Sequence, residues 1–306
     1  MSDSPCRVAV VVVTYNSGVV LPGCLASVAD GMRGLRLLEV VVADNASSDD
    51  TVDVACRTYG IPVRVLQMGR NAGYAAAINA AVDSLDACDY DAVLVLNPDC
   101  RLGAGSVAVL AHALGRQGCG ITVPRLTNVD GSLQPSLRRM PTIGRALAES
   151  IIGGSRAGRI GTLGELITDP AAYAEPRTAA WATGAAMLIS VQVVREVGSW
   201  DESFLLYGEE VEYALRAADR GWELWYEPAA VFEHIGGDSG VNPKLWTLLT
   251  VNRVRLHRRR HGLLAGAAFF LAVALGELVR ALAGRPTARA ALGALVWPPL
   301  RPTSLA

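Results

Sequence analysis

Six residues, Asp91-Ala-Val-Leu-Val-Leu96, followed at once by Asn97-Pro98-Asp99, limit this chain more than any other stretch. An apolar run without polar alternation reads as a strand covered on both faces, the situation of a mainly parallel sheet. Pro98 has no amide hydrogen and cannot extend a central strand, so the chain breaks there. Asp99 is therefore expected at the carboxyl end of a buried strand, where open α/β sheets gather their ligands. Alone, an Asp after a strand is more often a turn former or helix cap. Its interest depends on what else reaches the same edge.

The first 130 residues supply that edge. Arg7 to Val13 is a β-branched run that opens into Thr14-Tyr15-Asn16, with a helix expected over Val20 to Ala29. Leu38 to Val42 is a second strand, ending at Ala43-Asp44-Asn45-Ala46-Ser47-Ser48-Asp49. Thr51 to Tyr59 is expected to be helical, Val63 to Gln67 extended and Ala75 to Leu85 helical. Strands alternating with helices imply a parallel sheet with right-handed crossovers. Each of these polar loops follows a strand and precedes a helix, so all are expected along one edge. At 306 residues the chain has room for one large domain or one and a half ordinary ones. A formal net charge of -1 gives no global field that would attract nucleic acid. The six cysteines form no Cys-x-x-Cys pair, and the first apolar run is too short for a secretory signal. Buried, reduced thiols in a cytoplasmic protein are the expectation.

Residues 132 to 165 have a different character. Arg138, Arg139, Arg145, Arg156 and Arg159 are interspersed with recurring glycines. A mobile, basic connection is expected, either solvated or meeting an anionic acceptor. Order returns at Trp181, with a strand over Met187 to Ser190 and a helical turn over Val193 to Val197. Phe204 to Tyr207 leads into Gly208-Glu209-Glu210-Val211-Glu212 and a helix through Arg220. Glu223 to Tyr226 and Val231 to His234 are extended, the latter opening into Ile235-Gly236-Gly237. Further on, Arg253, Arg255, Arg258, Arg259 and Arg260 abut the apolar run Leu263 to Leu275, which Glu277 and Arg280 then interrupt. That run is shorter than the ~20 residues that cross a bilayer. A basic stripe beside an apolar helix suggests an interfacial helix on an anionic membrane surface. A helix packed on the protein, with its arginines in solvent, fits the pattern equally.

Asp44, Asp99, Glu210 and His234 each sit where a strand ends or a helix begins. An oxygen ligand with an imidazole suits a divalent cation that keeps positions open for substrate oxygens. Such an ion neutralises charge when a diphosphate leaves. A second carboxylate, free of metal, then serves as general base towards a hydroxyl nucleophile. Singly, each residue fits a structural role, Glu210 on an exposed helix face and His234 as a satisfied strand-end histidine.

Together the residues resemble a known family. The order Val-Val-Thr14-Tyr15-Asn16, Val-Ala-Asp44-Asn45, Arg70-Asn71-Ala-Gly73-Tyr74, Leu-Asn97-Pro98-Asp99, Trp181-Ala-Thr-Gly184, Asp201 to Glu210 and His234-Ile-Gly-Gly is similar to the inverting family 2 glycosyltransferases. It looks most like their rhamnosyltransferase-type branch, over roughly residues 7 to 240. The resemblance implies an α/β GT-A fold, a Rossmann-like, mostly parallel sheet flanked by helices, with a C-terminal helical tail. It implies a nucleotide-sugar half over residues 1–130, an acceptor and catalytic half over 131–240, and a tail over 241–306. Thr14, Tyr15 and Asn16 would then line the base and ribose pocket, Asp44 would meet the pyrimidine ring, and Arg70 and Asn71 would lie near the nucleotide. Asp99 matches the family's metal-binding carboxylate and His234 a histidine near the metal or diphosphate, for Mn²⁺ or Mg²⁺. Glu210 falls at the catalytic base.

Two departures from the family pattern stand out. Asn97 replaces the first Asp of the Asp-x-Asp element, and Glu209-Glu210 replaces Glu-Asp, so either glutamate is a candidate base. A sugar-nucleotide pyrophosphorylase would carry a glycine-rich basic loop where Thr14-Tyr15-Asn16-Ser17 stands. A non-catalytic binding or scaffold protein would have no need of Asp99, Glu210 and His234 together. The resemblance implies a nucleoside-diphosphate sugar donor, dTDP-rhamnose-like or a UDP-sugar, and a hydroxyl acceptor. A polyprenyl-linked acceptor at the inner membrane face fits the tail, and a soluble metabolite fits if the tail only packs.

Overall fold

The computed structural model describes residues 5–236 and 242–304. Gly237 of the His234-Ile-Gly-Gly element, and the boundary expected at 240/241, lie outside the described residues. Four strands, β1 (Arg7–Thr14), β2 (Arg36–Asp44), β3 (Val63–Gln67) and β4 (Ala92–Leu96), run parallel in the order β3-β2-β1-β4. Helices α1 (Leu21–Gly31), α2 (Thr51–Ala55) and α3 (Tyr74–Asp83) make the crossovers. Because side chains alternate across a strand, Val11, Val93 and Val95 join one buried cluster and Val10, Leu94 and Leu96 the other. α2 stops short of the expected Tyr59, whose hydroxyl turns back to donate to the Val54 carbonyl at 2.9 Å.

The sheet continues through strands of both senses. β5 (Cys100–Leu102), β6 (Cys119–Thr127), β8 (Arg177–Ala179), β10 (Ala186–Ser190) and β11 (Glu223–His234) complete it, while β7 (Leu137–Arg138) and β9 (Trp181–Ala182) form a separate ribbon. β10 lies antiparallel between β4 and β6, and β11 runs parallel to β6. The carboxyl end of β11 thus returns to the edge where β1, β2 and β4 end. β5 pairs antiparallel with β11, placing Cys100 opposite His234. This turn after Pro98 brings Asp99 beside the histidine. β11 unites the two extended pieces expected around Pro228; the register slips between Glu227 and Val231, since proline leaves the ladder without a donor. α4 (Ser106–Leu114), α7 (Val191–Val197) and α8 (Glu209–Ala218) cover the faces.

Residues 132–165 are not the mobile connection that their composition suggested. They form α5 (Ile143–Ile152) and α6 (Gly154–Arg159), and two of their arginines bind local carbonyls. Arg139 reaches Gly164 and Gly161, and Arg145 reaches Thr162 and Met140. The tail differs as well. α9 (Pro243–Leu282) breaks at Gly262, whose φ of 81° lies in the left-handed region that glycine tolerates. Its two arms fold back on each other. Trp246 Nε1 donates to Glu277 Oε2 at 3.1 Å, and the His257 and Phe269 rings stack 4.0 Å apart. α5 and α10 (Pro286–Val296) pack against the returning arm, with Ser150 Oγ donating to the Ala272 carbonyl at 2.6 Å.

Most of the basic stripe is engaged within the protein, although Arg258 stays exposed. Arg253 bridges Glu149 at 2.7 Å and Glu165 at 2.6 Å, Arg259 pairs with Asp201 at 2.7 Å, and Arg260 pairs with Asp219 at 2.7 Å. Arg255 donates to the Ser203 carbonyl. These arginines clamp the tail to the sheet domain. Nor do Glu277 and Arg280 interrupt the apolar surface, because they pair with each other at 2.6 Å and Glu277 is buried. The helix contains an 18-residue window of mean hydropathy 2.1, long and apolar enough to cross a membrane, and a third of that window is buried in the protein. Of the thiols, Cys24, Cys100 and Cys119 are buried as expected, but Cys56 and Cys88 are exposed.

Candidate active site

Two loops at the ends of β1 and β2 form one wall. Thr14 Oγ1 donates to Asp44 Oδ1 at 2.9 Å, and the Ser47 amide donates to Asp44 Oδ2 at 2.9 Å. Asp44 is buried, and its carboxylate braces the two loops against each other. Asn16 continues the brace: its amide donates to Ser47 Oγ, and its Oδ1 accepts from the Ser48 amide, both at 2.8 Å. Asn16 and Ala46 hold positive φ, of 50° and 60°. Strained backbone of this kind collects where loops are shaped for a ligand. Tyr15 projects from the wall, 39% exposed. Arg70 is exposed and its side chain has no partner among the described residues. Asn71 Nδ2 is buried without one.

The centre of the edge holds Asn97, Asp99 and His234. Gln134 Nε2 donates to Asn128 Oδ1 at 3.1 Å and to the His234 carbonyl at 3.2 Å, so its Oε1 faces His234 Nδ1 at 2.6 Å. Nδ1 therefore carries a proton, and in the neutral ring Nε2 is the lone-pair nitrogen. That nitrogen lies 3.4 Å from Asp99 Oδ1 and 3.5 Å from Asn97 Nδ2. Asp99 Oδ2 accepts from the Gly236 amide at 2.9 Å. Burial alone would raise the Asp99 carboxyl, but the Gly236 amide and the charged form of His234, with Nε2 also protonated, outweigh it and hold the group below the ordinary range. A carboxylate oxygen and an imidazole lone pair aimed at one point, with the far ring nitrogen fixed by an amide, are a fitting donor set for a divalent cation. Cys100 is also close, its sulfur within 4.8 Å of these ligand atoms. Burial pushes its thiol far up and it donates to the Ala185 carbonyl at 3.3 Å, so it is not a competing hard ligand.

Tyr74 ties this centre to the opposite wall. Its hydroxyl lies 3.0 Å from Asn97 Oδ1 and 2.9 Å from the Gly184 carbonyl. A Cβ on Gly184 would stand 3.3 Å from Glu210 Cβ, so the glutamate backs directly onto that glycine. A Cβ on Gly73, before Tyr74, would fall 2.3 Å from the Leu205 carbonyl oxygen. Glycine is required where the donor loops meet the 201–208 loop. That loop ends at Tyr207 (φ 65°) and Gly208 (φ 113°), and Asn252 of α9 donates to the Leu206 and Tyr207 carbonyls at 3.0 and 2.9 Å.

The two glutamates at the start of α8 differ sharply. Glu209 is buried, its Oε2 has no hydrogen-bond partner, and burial together with the charge of Glu210 raises its carboxyl well above the ordinary value. Glu210 lines a chamber of about 200 Å³ with Arg138, Trp181, Thr183 and Tyr207, and its Oε2 accepts from the Gly208 amide at 3.0 Å. Burial raises it too, but backbone donors and Arg138 pull it back. The helix N-terminus favours the ionised form of either.

Tyr74, Gln134, Asn45 and Asn252 complete the site although none was singled out in the sequence. Asn45 joins the wall by accepting from the Ala72 amide at 3.1 Å and donating to the Gly73 carbonyl at 3.2 Å. Tyr74 stands inside the Arg70-Asn71-Ala-Gly73-Tyr74 element and was visible as a motif member. Gln134 and Asn252 lie outside every motif, and no local pattern marks them.

This sheet, with a mixed extension carrying a helix headed by two glutamates and a carboxylate–imidazole pair at its edge, defines a glycosyltransferase of the GT-A fold. Residues 9–169 match the model of glycosyl transferase family 2, and the chain belongs to that family. Among curated proteins it is 32% identical over 244 residues to the N-acetylglucosaminyl-diphospho-decaprenol L-rhamnosyltransferase of Mycobacterium tuberculosis, covering 76% of this chain and 78% of the relative. Its fold is shared with a mannosyltransferase of Pyrobaculum calidifontis in complex with GDP-Man and Mn²⁺, at TM-score 0.57 and 17% identity over 97% of this chain and 84% of the other. It is shared also with GalNAc-T7 bound to UDP, GalNAc and Mn²⁺, at TM-score 0.59 and 17% identity, covering 83% of this chain and 48% of that one.

Proposed function

We propose that this glycosyltransferase is metal-dependent and inverting, moving a sugar from a nucleoside-diphosphate donor to a hydroxyl of a lipid-linked acceptor. The observation that carries the reading is the convergence of Asp99 Oδ1 and His234 Nε2, 3.4 Å apart, on the edge where Glu210 opens into its own chamber. Thr14, Tyr15, Asn16 and Asp44 take the base and ribose, and Arg70, Asn71 and Asn97 flank the diphosphate. Mn²⁺ or Mg²⁺ held by Asp99 and His234 would neutralise charge on the departing diphosphate. Glu210 removes the proton of the acceptor hydroxyl as its oxygen attacks the anomeric carbon from the face opposite the leaving group, which inverts that centre. Glu209, whose burial favours the protonated acid, heads α8 without lining the chamber. Residues 1–130 form the donor half and 131–240 the acceptor half.

The relative named for a decaprenol-linked acceptor supports a dTDP-rhamnose-like or UDP-sugar donor and a polyprenyl diphosphate acceptor. Such an acceptor places the protein on the inner face of the cell membrane. The outer face of the returning arm of α9 supports that placement. Leu264, Leu271, Leu275, Leu278 and Leu282 lie along one stripe, from 42% to 91% exposed, and the arm's charged residues turn inward. Its inner face is fixed to α5, so it lies in the interface rather than crossing it.

Thermal unfolding with a panel of nucleotide sugars, with and without Mn²⁺ or Mg²⁺, tests the donor side, because ligands raise apparent stability by mass action. Asp99→Asn is expected to abolish the metal-dependent shift and to leave the unliganded midpoint unchanged, since the residue sits in a loop. Unchanged metal-dependent affinity in that variant would sink the assignment.

A further inference from the structure

The chamber beside Glu210 contains a guanidinium with nothing to bind. Arg138 sits on β7 with its guanidinium 5.2 Å from the centre of the Trp181 ring. Its Nε is closed to solvent and has no acceptor, and no hydrogen bond or ion pair engages its other nitrogens among the described residues. The carboxylates that share the chamber, Glu149 and Glu165, are both taken by Arg253. Trp181 Nε1, on the same wall, is a second buried donor without an acceptor. Buried donors left unmatched are costly and rare in folded proteins. Arg138 and Trp181 line one chamber, and a guanidinium there with uncommitted terminal nitrogens marks a place for a group rich in acceptor oxygens. A guanidinium fork matches a phosphoryl group in both geometry and charge.

We propose that Arg138 binds a phosphate or diphosphate of the acceptor, beside the sugar whose hydroxyl Glu210 deprotonates. The proposal rests on Glu210 as base for its place in the reaction, but the anion site itself does not. A lipid-linked sugar diphosphate would then be read at two points, its phosphoryl group by Arg138 and its hydroxyl by Glu210. A neutral glycoside would be read at one.

Calorimetry with butyl diphosphate in EDTA tests the site without turnover, and the short chain keeps the probe off apolar surface. The wild-type protein is expected to bind it, with Arg138→Gln weakening the affinity about 10- to 100-fold, as loss of a charged hydrogen-bond pair does. Arg70→Gln, at the cation that flanks the donor diphosphate, should bind as tightly as wild type, which assigns the probe to the chamber and not to the donor edge. Arg138→Lys, which keeps the charge but not the fork, should fall between, and it decides the matter if Arg138→Gln does not fold. In transfer assays Arg138→Gln should raise the KM of a diphosphate-bearing acceptor by the same factor. The KM of a neutral alkyl glycoside and the rate of donor hydrolysis should not move. No binding by wild type, equal binding by both Arg138 variants, or equal losses on both acceptors would overturn the proposal. If transfer survives Glu210→Gln while diphosphate binding still depends on Arg138, the base assignment fails and the anion site stands.

Discussion

Two adjacent glutamates open α8, and their surroundings give them opposite behaviour. Glu210 faces the chamber, while Glu209 is buried with an unpartnered oxygen. A general base contributes about 10²- to 10⁴-fold, so Glu210→Gln should lower kcat by that order with donor affinity unchanged. The base must be ionised to act, and burial raises its proton affinity. Transfer by wild type should therefore fall as pH drops through a value above the usual carboxylate range, and the residual rate of Glu210→Gln should lack that limb. Crippling by Glu209→Gln instead would exchange the two roles. Glu209 itself makes a stability prediction. Its folded-state proton affinity is raised well above that of an ordinary carboxyl by burial and the charge of Glu210, so the folded state favours the protonated acid. The stability this gives is full below the unfolded value and is lost as pH rises towards the folded one. Glu209→Gln mimics the protonated form and escapes the loss. It should unfold at a higher temperature than wild type at pH 8 and at the same temperature near pH 4. Each tenfold of proton affinity corresponds to about 1.4 kcal/mol. A variant less stable than wild type at pH 8 would show that the ionised carboxylate has a partner.

At the scale of elements, α9 is the part whose role changes most between sequence and structure. Its arginines look like a membrane-facing stripe until their partners are known. Arg253 and Glu149 are 104 positions apart, a separation at which no periodicity operates. Separation in sequence likewise hides Asn252, which holds the Tyr207 carbonyl 45 positions earlier. By contrast β1, β4 and the carboxyl half of β2 were legible because burial on both faces writes itself into unbroken runs of valine, leucine and alanine. α5 was missed because glycine and arginine obscure its pattern, although Thr142 caps it by accepting from the Arg145 amide. Asn252 supports a prediction about the element it braces. Tyr207, at φ 65°, sits in a conformation that costs on the order of 1–3 kcal/mol and needs support from its surroundings. Asn252→Ala removes two hydrogen bonds to that loop and frees Glu210 to shift. A displacement of about 1 Å at a reacting group costs about 10²-fold, so kcat should drop towards that extent while the KM for donor is retained. Full activity in the variant would show that the loop holds its shape unaided.

At the scale of the molecule, one edge of the sheet gathers the donor loops and the carboxylate–imidazole pair. Asp44, Asp99 and Glu210 were readable as site candidates because each follows a strand or opens a helix at that edge. Arg138 was not, because its meaning lies in the partners it lacks. The apolar stripe on α9 lies apart from this edge, on the tail that Arg253, Arg259 and Arg260 bind to the domain. With those cations committed inside the protein, attraction to an anionic surface is weak and the leucines must dominate. Full burial of a leucine side chain contributes about 1.5–3 kcal/mol, and five partly inserted ones suffice for reversible attachment. The protein should therefore float with neutral as well as anionic vesicles, and only a small part of its binding should be lost between low and high salt. Leu271→Glu, at a position 65% exposed, should abolish flotation while leaving the unfolding temperature and the turnover of a soluble acceptor unchanged. If vesicles are ignored and Leu271→Glu instead converts a dimer into a monomer, the stripe is an interface between two copies. Steep salt dependence with no binding to neutral vesicles would return the tail to an electrostatic role.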